Sequence, residues 1–289
     1  MPNALVLGGA TGLVGQALYR VLTTRGWQVE TLGRADGNLL DMSFLESRLM
    51  ASRFDVVFNA VAWTQVDEAE DHPDEALLLN RTLPDALARI VKAGQHGWLV
   101  HFSTDFVFSE PRQTPWKEED SPCPASVYGR TKLAGEQAVL DTLPERSSVL
   151  RSAWLFGPGR KNFVSAMLAA CRCRDSVSIV HDQTGSPTYT LDLAQWSVSI
   201  AEKKAAGLWH AVNGGQATWC ELAGEAIALT ADNSCRVIPI TSDLWPQKAK
   251  RPTYSVLDTT KLSNFLGAPI RPWPLALRDF LFSAHHPDA

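Results

Sequence analysis

Apolar residues along this chain fall into two rhythms. Short unbroken runs such as Ala4-Leu5-Val6-Leu7 and Val56-Val57-Phe58 have the length of strands buried on both faces. Between them apolar residues recur three and four apart, as at Leu18, Val21 and Leu22, and again at Leu83, Leu87 and Ile90. That is the stripe of a helix laid on a sheet. The pattern predicts strands over 4–7, 27–32, 55–59, 98–102 and 148–154. It predicts helices over 16–25, 43–53 and 74–92, and another that opens at Tyr128. Such alternation builds an α/β fold around a doubly wound parallel sheet. After Gly157 the texture changes. Helices are expected over 162–172, 192–204 and 219–229, and strands over 177–180 and 208–212. The segment 109–125, rich in Pro, Glu and Asp, reads as a surface flap.

The first strand runs into Gly8-Gly9-Ala10-Thr11-Gly12-Leu13-Val14-Gly15. Gly9-x-x-Gly12-x-x-Gly15 between a strand and a helix is a Rossmann dinucleotide signature. Gly9 is expected to permit the tight turn, Gly12 to let backbone approach a pyrophosphate, and Gly15 to let helix and strand touch. Thr11, Leu13 and Val14 then offer backbone to the phosphates at a helix start. The expected division is a dinucleotide-binding Rossmann domain over 1–155, to which 192–213 returns. A second, smaller α/β domain over 156–289 is mainly substrate-binding. Where an NAD site carries an acidic residue, at the tip of the second strand, this chain has Arg34; Glu30 lies earlier, within the strand. A guanidinium suits a 2′-phosphate, which favours NADP(H) and leaves NAD(H) open. Otherwise Arg34 is a solvated charge or stacks on adenine. Asp41, followed by Met42, either meets the adenine edge or caps the helix near Ser43. Small residues after the third strand, in Asn59-Ala60-Val61-Ala62-Trp63-Thr64, let a cofactor lie close. The acidic run Asp67-Glu68-Ala69-Glu70-Asp71 reads as a solvated helix start. Asn80 either holds backbone near the site or fills core.

The fourth strand delivers Ser103-Thr104-Asp105 to the edge that bears the glycine loop. Tyr128 and Lys132 are four apart on one helix and share a face. A phenol has a free pKa of about 10, and a neighbouring ammonium is expected to lower it. With the Thr104 hydroxyl to hold a substrate oxygen, the three make a general acid/base device for a C–O–H centre.

The 289 residues, 45% apolar and 20% charged, supply an ordinary globular core. A net charge of −4 offers no basic field for nucleic acid. The start lacks a basic n-region, and no apolar run reaches the roughly 18 residues of a membrane span. A cytoplasmic protein is expected, with its five cysteines, Cys123, Cys171, Cys173, Cys220 and Cys235, all reduced. The seven histidines have no ligand spacing, and His285-His286 reads as a mobile tail.

Several stretches, taken together, resemble the dTDP-4-dehydrorhamnose reductase family of the extended short-chain dehydrogenase/reductases. They are the segment from Asn59 through Glu70, Ser103-Thr104-Asp105-Phe106-Val107-Phe108, and Tyr128-Gly129-Arg130-Thr131-Lys132 with Glu136. Arg151-Ser152-Ala153-Trp154, Asp182-Gln183-Thr184-Gly185-Ser186-Pro187-Thr188 and Arg251-Pro252 with Leu257-Asp258 complete the set. The resemblance implies a catalytic trio of Thr104, Tyr128 and Lys132, with Tyr128 the proton donor in a sugar-ketone reduction. It implies that Gly12 to Val14, Arg34, Asp41, Met42, Ala62, Trp63 and Thr64 hold the dinucleotide. Thr104, Asp105 and Trp154 would touch a nucleotide-sugar, its diphosphate suiting Lys250 and Arg251 or Arg160 and Lys161. Phe106 stands where the family has Tyr. Some members form a magnesium-linked homodimer through acidic residues. The matching stretch, Tyr189-Thr190-Leu191-Asp192, has one carboxylate, so no metal is carried over. The dehydratase acid/base pair is missing, because Phe106 follows Thr104-Asp105. A 4-ketoreductase of other stereochemistry and a non-catalytic regulatory subunit are the rival readings.

Overall fold

The computed structural model describes residues 1–230 and 235–282; the pair His285-His286 lies outside them. The first half reads β1 Asn3–Leu7, α1 Leu13–Thr24, β2 Gln28–Leu32, α2 Met42–Ala51, β3 Val56–Asn59, α3 Pro73–Leu77, α4 Leu83–Ala93, β4 Trp98–Thr104, α5 Val127–Thr142 and β5 Ser147–Ser152. Then come β6 Leu155–Phe156, α6 Phe163–Cys171, β7 Ser176–Val180, β8 Thr184–Gly185, β9 Thr188–Tyr189, α7 Thr190–Glu202 and β10 Gly207–His210. The last elements are β11 Ala217–Thr218, α8 Trp219–Leu229, β12 Arg236–Ile240, α9 Thr260–Leu266 and α10 Trp273–Phe282. Among the described residues no helix is long and apolar enough to cross a membrane.

Six strands form one sheet in the order β10-β5-β4-β3-β1-β2, every pair parallel. The period-two side-chain alternation of a strand divides its apolar residues between two cores. Ala4, Val6, Val56, Phe58, Trp98 and Val100 pack with α1 and α7 on one face. Leu5, Leu7, Val57 and Leu99 pack with α2, α4 and α5 on the other. This is the doubly wound α/β arrangement. The strand order reverses between β1 and β3, and ligands of open α/β sheets bind at such a crevice. A third core joins α6, α8 and α10 through Val164, Leu168, Leu222, Ala226, Leu277 and Phe280.

Three expectations change. The helix expected over 74–92 is interrupted by a π-turn, Leu78–Thr82, between α3 and α4. Pro84 has no N–H for the carbonyl four residues back, and the turn widens there. The segment 109–125 is no free flap. Trp116 is buried and stacked on Phe108 with ring centroids 4.3 Å apart, and its indole N–H donates to the Tyr254 carbonyl at 3.2 Å. The cysteines are not all reduced: Cys171 and Cys235 are joined in a disulfide. They lie 64 residues apart in sequence, at the end of α6 and just before β12. No local spacing announces that pairing; packing of α6 beside β7, which pairs with β12, creates it.

Candidate active site

The glycine turn forms as a close contact between strand and helix. Gly8, not Gly9, takes the left-handed backbone, with φ of +80°, a region glycine enters without a Cβ penalty. Gly9 instead faces the Thr31 side chain, and a Cβ there would sit 2.6 Å from it. At Gly15 a Cβ would lie 2.2 Å from the Gly8 carbonyl oxygen, so Gly15 does allow the α1–β1 contact. Gly12 is the N-cap of α1 and supplies no side-chain cap. Backbone N–H groups at the start of a twelve-residue helix therefore point outward uncapped, which fits an anionic pyrophosphate. Thr11 is exposed and Leu13 half-buried beside them, while Val14 is buried.

Arg34 is exposed just past β2, with no side-chain partner among the described residues. Asp41 caps α2: its carboxylate accepts from the Ser43 and Phe44 N–H groups at 2.9 and 3.2 Å. Met42 beside it is exposed. Ala62 and Trp63 are half-buried and Thr64 is exposed on the segment after β3. Asn80, in the π-turn, holds that segment. Its amide accepts from the Trp63 N–H at 2.9 Å and donates to the Trp63 carbonyl at 3.3 Å and to the Thr131 hydroxyl at 3.0 Å. Asn80 thus ties the loop beside the glycine turn to α5.

Thr104 ends β4 and Tyr128 opens α5. Ser126 caps that helix by accepting from the Gly129 N–H at 3.1 Å. The Thr104 hydroxyl stands against the Tyr128 phenol and donates to Asp105 at 3.1 Å. Phe106 meets the Tyr128 ring edge-on, centroids 5.4 Å apart. Burial pushes the phenol up to about 12; the Thr104 bond opposes this, and the Asp105 charge adds to it. The expected lowering by Lys132 is absent. Lys132 shares the helix face, but its ammonium turns to the sheet and donates to the Phe102 carbonyl at 2.5 Å. Burial pulls its pKa down to about 8, with Glu136 opposing the fall. Asp105 is pushed up to about 6 by burial, held back by bonds from Ser255 and Thr104, and its Oδ2 has no hydrogen-bond partner among the described residues.

Glu136 enters the sequence reading only as part of the stretch that carries the resemblance, with no role assigned to it. In the structure it is a brace. It lies one turn beyond Lys132 and accepts from the Ser103 hydroxyl at 2.5 Å and from Arg151 at 2.7–3.2 Å. It therefore joins α5, which carries Tyr128, to β4, which ends in Thr104, and to β5, which ends two residues before Trp154. Its spacing of four from Lys132 is the signal that could have found it.

The acidic run is not a solvated helix start. Asp67 accepts from the Lys248 and Ala249 N–H groups at 3.0 and 2.9 Å and from Arg251 at 2.6 Å. Glu70 accepts from the Val127 N–H at 2.8 Å, at the head of α5. Asp71 pairs with Lys248. Arg251 is thereby engaged by Asp67, whereas Lys250, Arg160 and Lys161 are exposed. Asp192 is bonded by Arg271 and Asn213, each at 2.7 Å. Among the described residues no three His, Cys, Asp or Glu side chains form a metal-binding group.

The family model of the RmlD substrate binding domain matches residues 3–285. A dTDP-4-dehydrorhamnose reductase of Streptomyces griseus is 39% identical over 96% of this chain and 92% of its own length. A dTDP-4-keto-6-deoxy-D-glucose reductase of Streptomyces niveus is 36% identical over 96% of each chain. Among solved structures, a dTDP-4-dehydrorhamnose reductase of Bacillus anthracis in complex with NADP superposes with a TM-score of 0.92 at 26% identity, covering 98% of this chain and all of that one.

Proposed function

Because this chain belongs to the dTDP-4-dehydrorhamnose reductase family of oxidoreductases, we propose that it uses NADPH to reduce the C4 ketone of dTDP-4-dehydro-6-deoxy-L-mannose to dTDP-L-rhamnose, with Tyr128 as proton donor. One observation carries the reading: the Tyr128 phenol lies against the Thr104 hydroxyl at the C-terminal edge of the sheet, where the loop beside the glycine turn is tied to α5.

Ketone reduction puts a hydride on carbon and a proton on oxygen. The nicotinamide, when bound, supplies the hydride. The uncapped start of α1 takes the pyrophosphate, the segment of Ala62, Trp63 and Thr64 lies along the cofactor, and Arg34 meets the 2′-phosphate. The Thr104 hydroxyl, which donates to Asp105 in the structure, turns its one proton to the ketone oxygen when substrate is bound and polarises it. Tyr128, protonated throughout the neutral range at a pKa of about 12, delivers the proton. Lys132 holds a positive charge below pH about 8 and would bond the nicotinamide ribose of a bound cofactor. Asp105 and Trp154 meet the sugar. The half after residue 155, outside the returning α7 and β10, is the substrate unit. The nucleotide diphosphate is met by exposed cations, either Lys250 beside Arg251 or the pair Arg160 and Lys161.

A second reading is a 4-ketoreductase acting on a different sugar stereoisomer. The Streptomyces niveus relative favours it, being nearly as similar as the Streptomyces griseus one. The joint presence of Thr104, Tyr128 and Lys132 favours catalysis over a binding-only subunit. The test is nicotinamide absorbance during turnover of dTDP-4-dehydro-6-deoxy-L-mannose and of its D-xylo isomer, with product configuration read by NMR. Faster turnover of the L-lyxo substrate to a rhamnose product is expected. A talose product, or no turnover of either sugar, defeats the assignment.

Arg34→Ala should weaken NADPH binding by about tenfold or more, the scale of one charged hydrogen bond, and leave NADH binding nearly unchanged. Titration of both cofactors by fluorescence checks this. Equal losses would remove Arg34 from the 2′-phosphate.

A further inference from the structure

Trp154 has a backbone that bulky residues rarely adopt: its φ is +45°, in the left-handed region where a non-glycine residue is strained. It sits two residues past Ser152, the strand partner of Thr104, so the strain is held beside the proposed site. Its indole stacks on that of Trp219, with centroids 3.6 Å apart and planes 6° from parallel. Gly185 packs against the pyrrole side, where a Cβ would lie 2.4 Å from Cε2 and 2.6 Å from Nε1. No protein acceptor takes the Trp154 indole N–H among the described residues.

The stack is built by neighbouring elements. β8 pairs antiparallel with β11, opposing Gly185 to Ala217. Thr218 and Glu221 form a reciprocal capping box that starts α8 at Trp219. The Trp219 indole N–H donates to the Gln183 side-chain oxygen at 3.2 Å, and Phe163 packs its ring 4.6 Å from Trp219. Gln183 and Gly185, from the Asp-Gln-x-Gly-x-Pro-Thr stretch, thus both act on the same indole pair.

We propose that Trp219 is a positioning residue for sugar recognition: together with Gln183 and Gly185 it holds the Trp154 indole so that its N–H edge meets the substrate. Trp154 has one ring face closed by Trp219, and its strained backbone fixes where the N–H edge lies. That edge carries one donor, which can donate only to an acceptor at one position. A donor fixed in this way discriminates between sugars by the placement of a hydroxyl or ring oxygen. The inference rests on the reading that Trp154 lies against the sugar.

The experiment compares Trp154→Ala, Trp219→Ala and Trp219→Phe in steady-state reduction of the nucleotide-sugar, alongside circular dichroism. Stacked indoles give an exciton couplet in the far ultraviolet, and both alanine variants should lose it. Trp219→Ala should raise KM for the sugar by about tenfold, the upper end of what an aromatic pair contributes. Its kcat and its KM for NADPH should stay within about twofold, since Thr104 and Tyr128 are untouched. Trp219→Phe should recover most of the loss. If Trp219→Ala folds and loses the couplet but keeps the parent KM, the positioning role is overturned and the active site stands. If Trp154→Ala itself keeps the parent KM, the contact of Trp154 with sugar is what fails. Should Trp219→Ala not fold, Trp219→Leu, which keeps bulk against Phe163 without a stacking ring, is judged by the same criterion.

Discussion

Tyr128→Phe lowers kcat by at least about 10²-fold, the usual scale for a lost general acid, and leaves NADPH affinity unchanged. The substitution removes one oxygen and keeps the ring that Phe106 meets edge-on at 5.4 Å, so the fold is untouched. What disappears is, among the described residues, the side-chain proton beside the Thr104 hydroxyl that a substrate alkoxide could take at neutral pH. Lys132 cannot replace it, because its ammonium is directed at the Phe102 carbonyl. Asp105, at about 6, has mostly given up its proton at pH 7. A phenol pushed to about 12 is a reluctant acid in water, but the alkoxide formed on reduction is a stronger base than a phenolate, and the transfer runs downhill. Single-turnover oxidation of NADPH checks the prediction, with cofactor affinity measured in parallel. Parent-like rates in the variant would take Tyr128 out of the mechanism.

The features legible in the sequence were those written in local spacing. Strands over 4–7 and 55–59, and the helix over 219–229, follow from apolar runs and periodicity, and the structure has them at Asn3–Leu7, Val56–Asn59 and Trp219–Leu229. Tyr128 and Lys132 stand on one helix because their spacing required it. The direction of the Lys132 ammonium is a rotamer choice, set by the Phe102 carbonyl on β4 and by Glu136, and no spacing encodes it. Asp67 looked solvated because its partners lie about 180 positions away, at Lys248, Ala249 and Arg251. Trp116 looked like part of a flap because its cover, Tyr254, comes from the far end of the chain. The π-turn was within reach: Pro84 stands four residues past Asn80, and a proline there cannot complete the helix ladder.

Glu136→Ala destabilises the fold by about 3–5 kcal/mol, the cost of leaving one member of a buried ion pair alone. Arg151 and Glu136 are 3% and 2% exposed, so water cannot reach in to solvate the orphaned guanidinium. The nearest alternatives are poor. The His210 ring is only 3.5 Å from Arg151, but burial and the Arg151 charge hold its pKa down to about 3. It is neutral and cannot balance a cation. Phe108 lies 4.9 Å from the guanidinium carbon and offers only its ring face. The Ser103 hydroxyl, one residue before Thr104, loses its acceptor at the same time. Removing both charges is different: Glu136→Leu with Arg151→Met leaves no buried ion unpaired and should restore most of the lost stability. Urea unfolding of the parent, the single variant and the double variant measures the effect. A single variant within about 1 kcal/mol of the parent, the range of an exposed pair, would show that the brace contributes no more than a surface contact. Recovered stability need not bring recovered activity. The double variant also removes the carboxylate that keeps the Lys132 pKa from falling further, so a folded but slow enzyme is the outcome that ties this brace to the chemistry on the same helix.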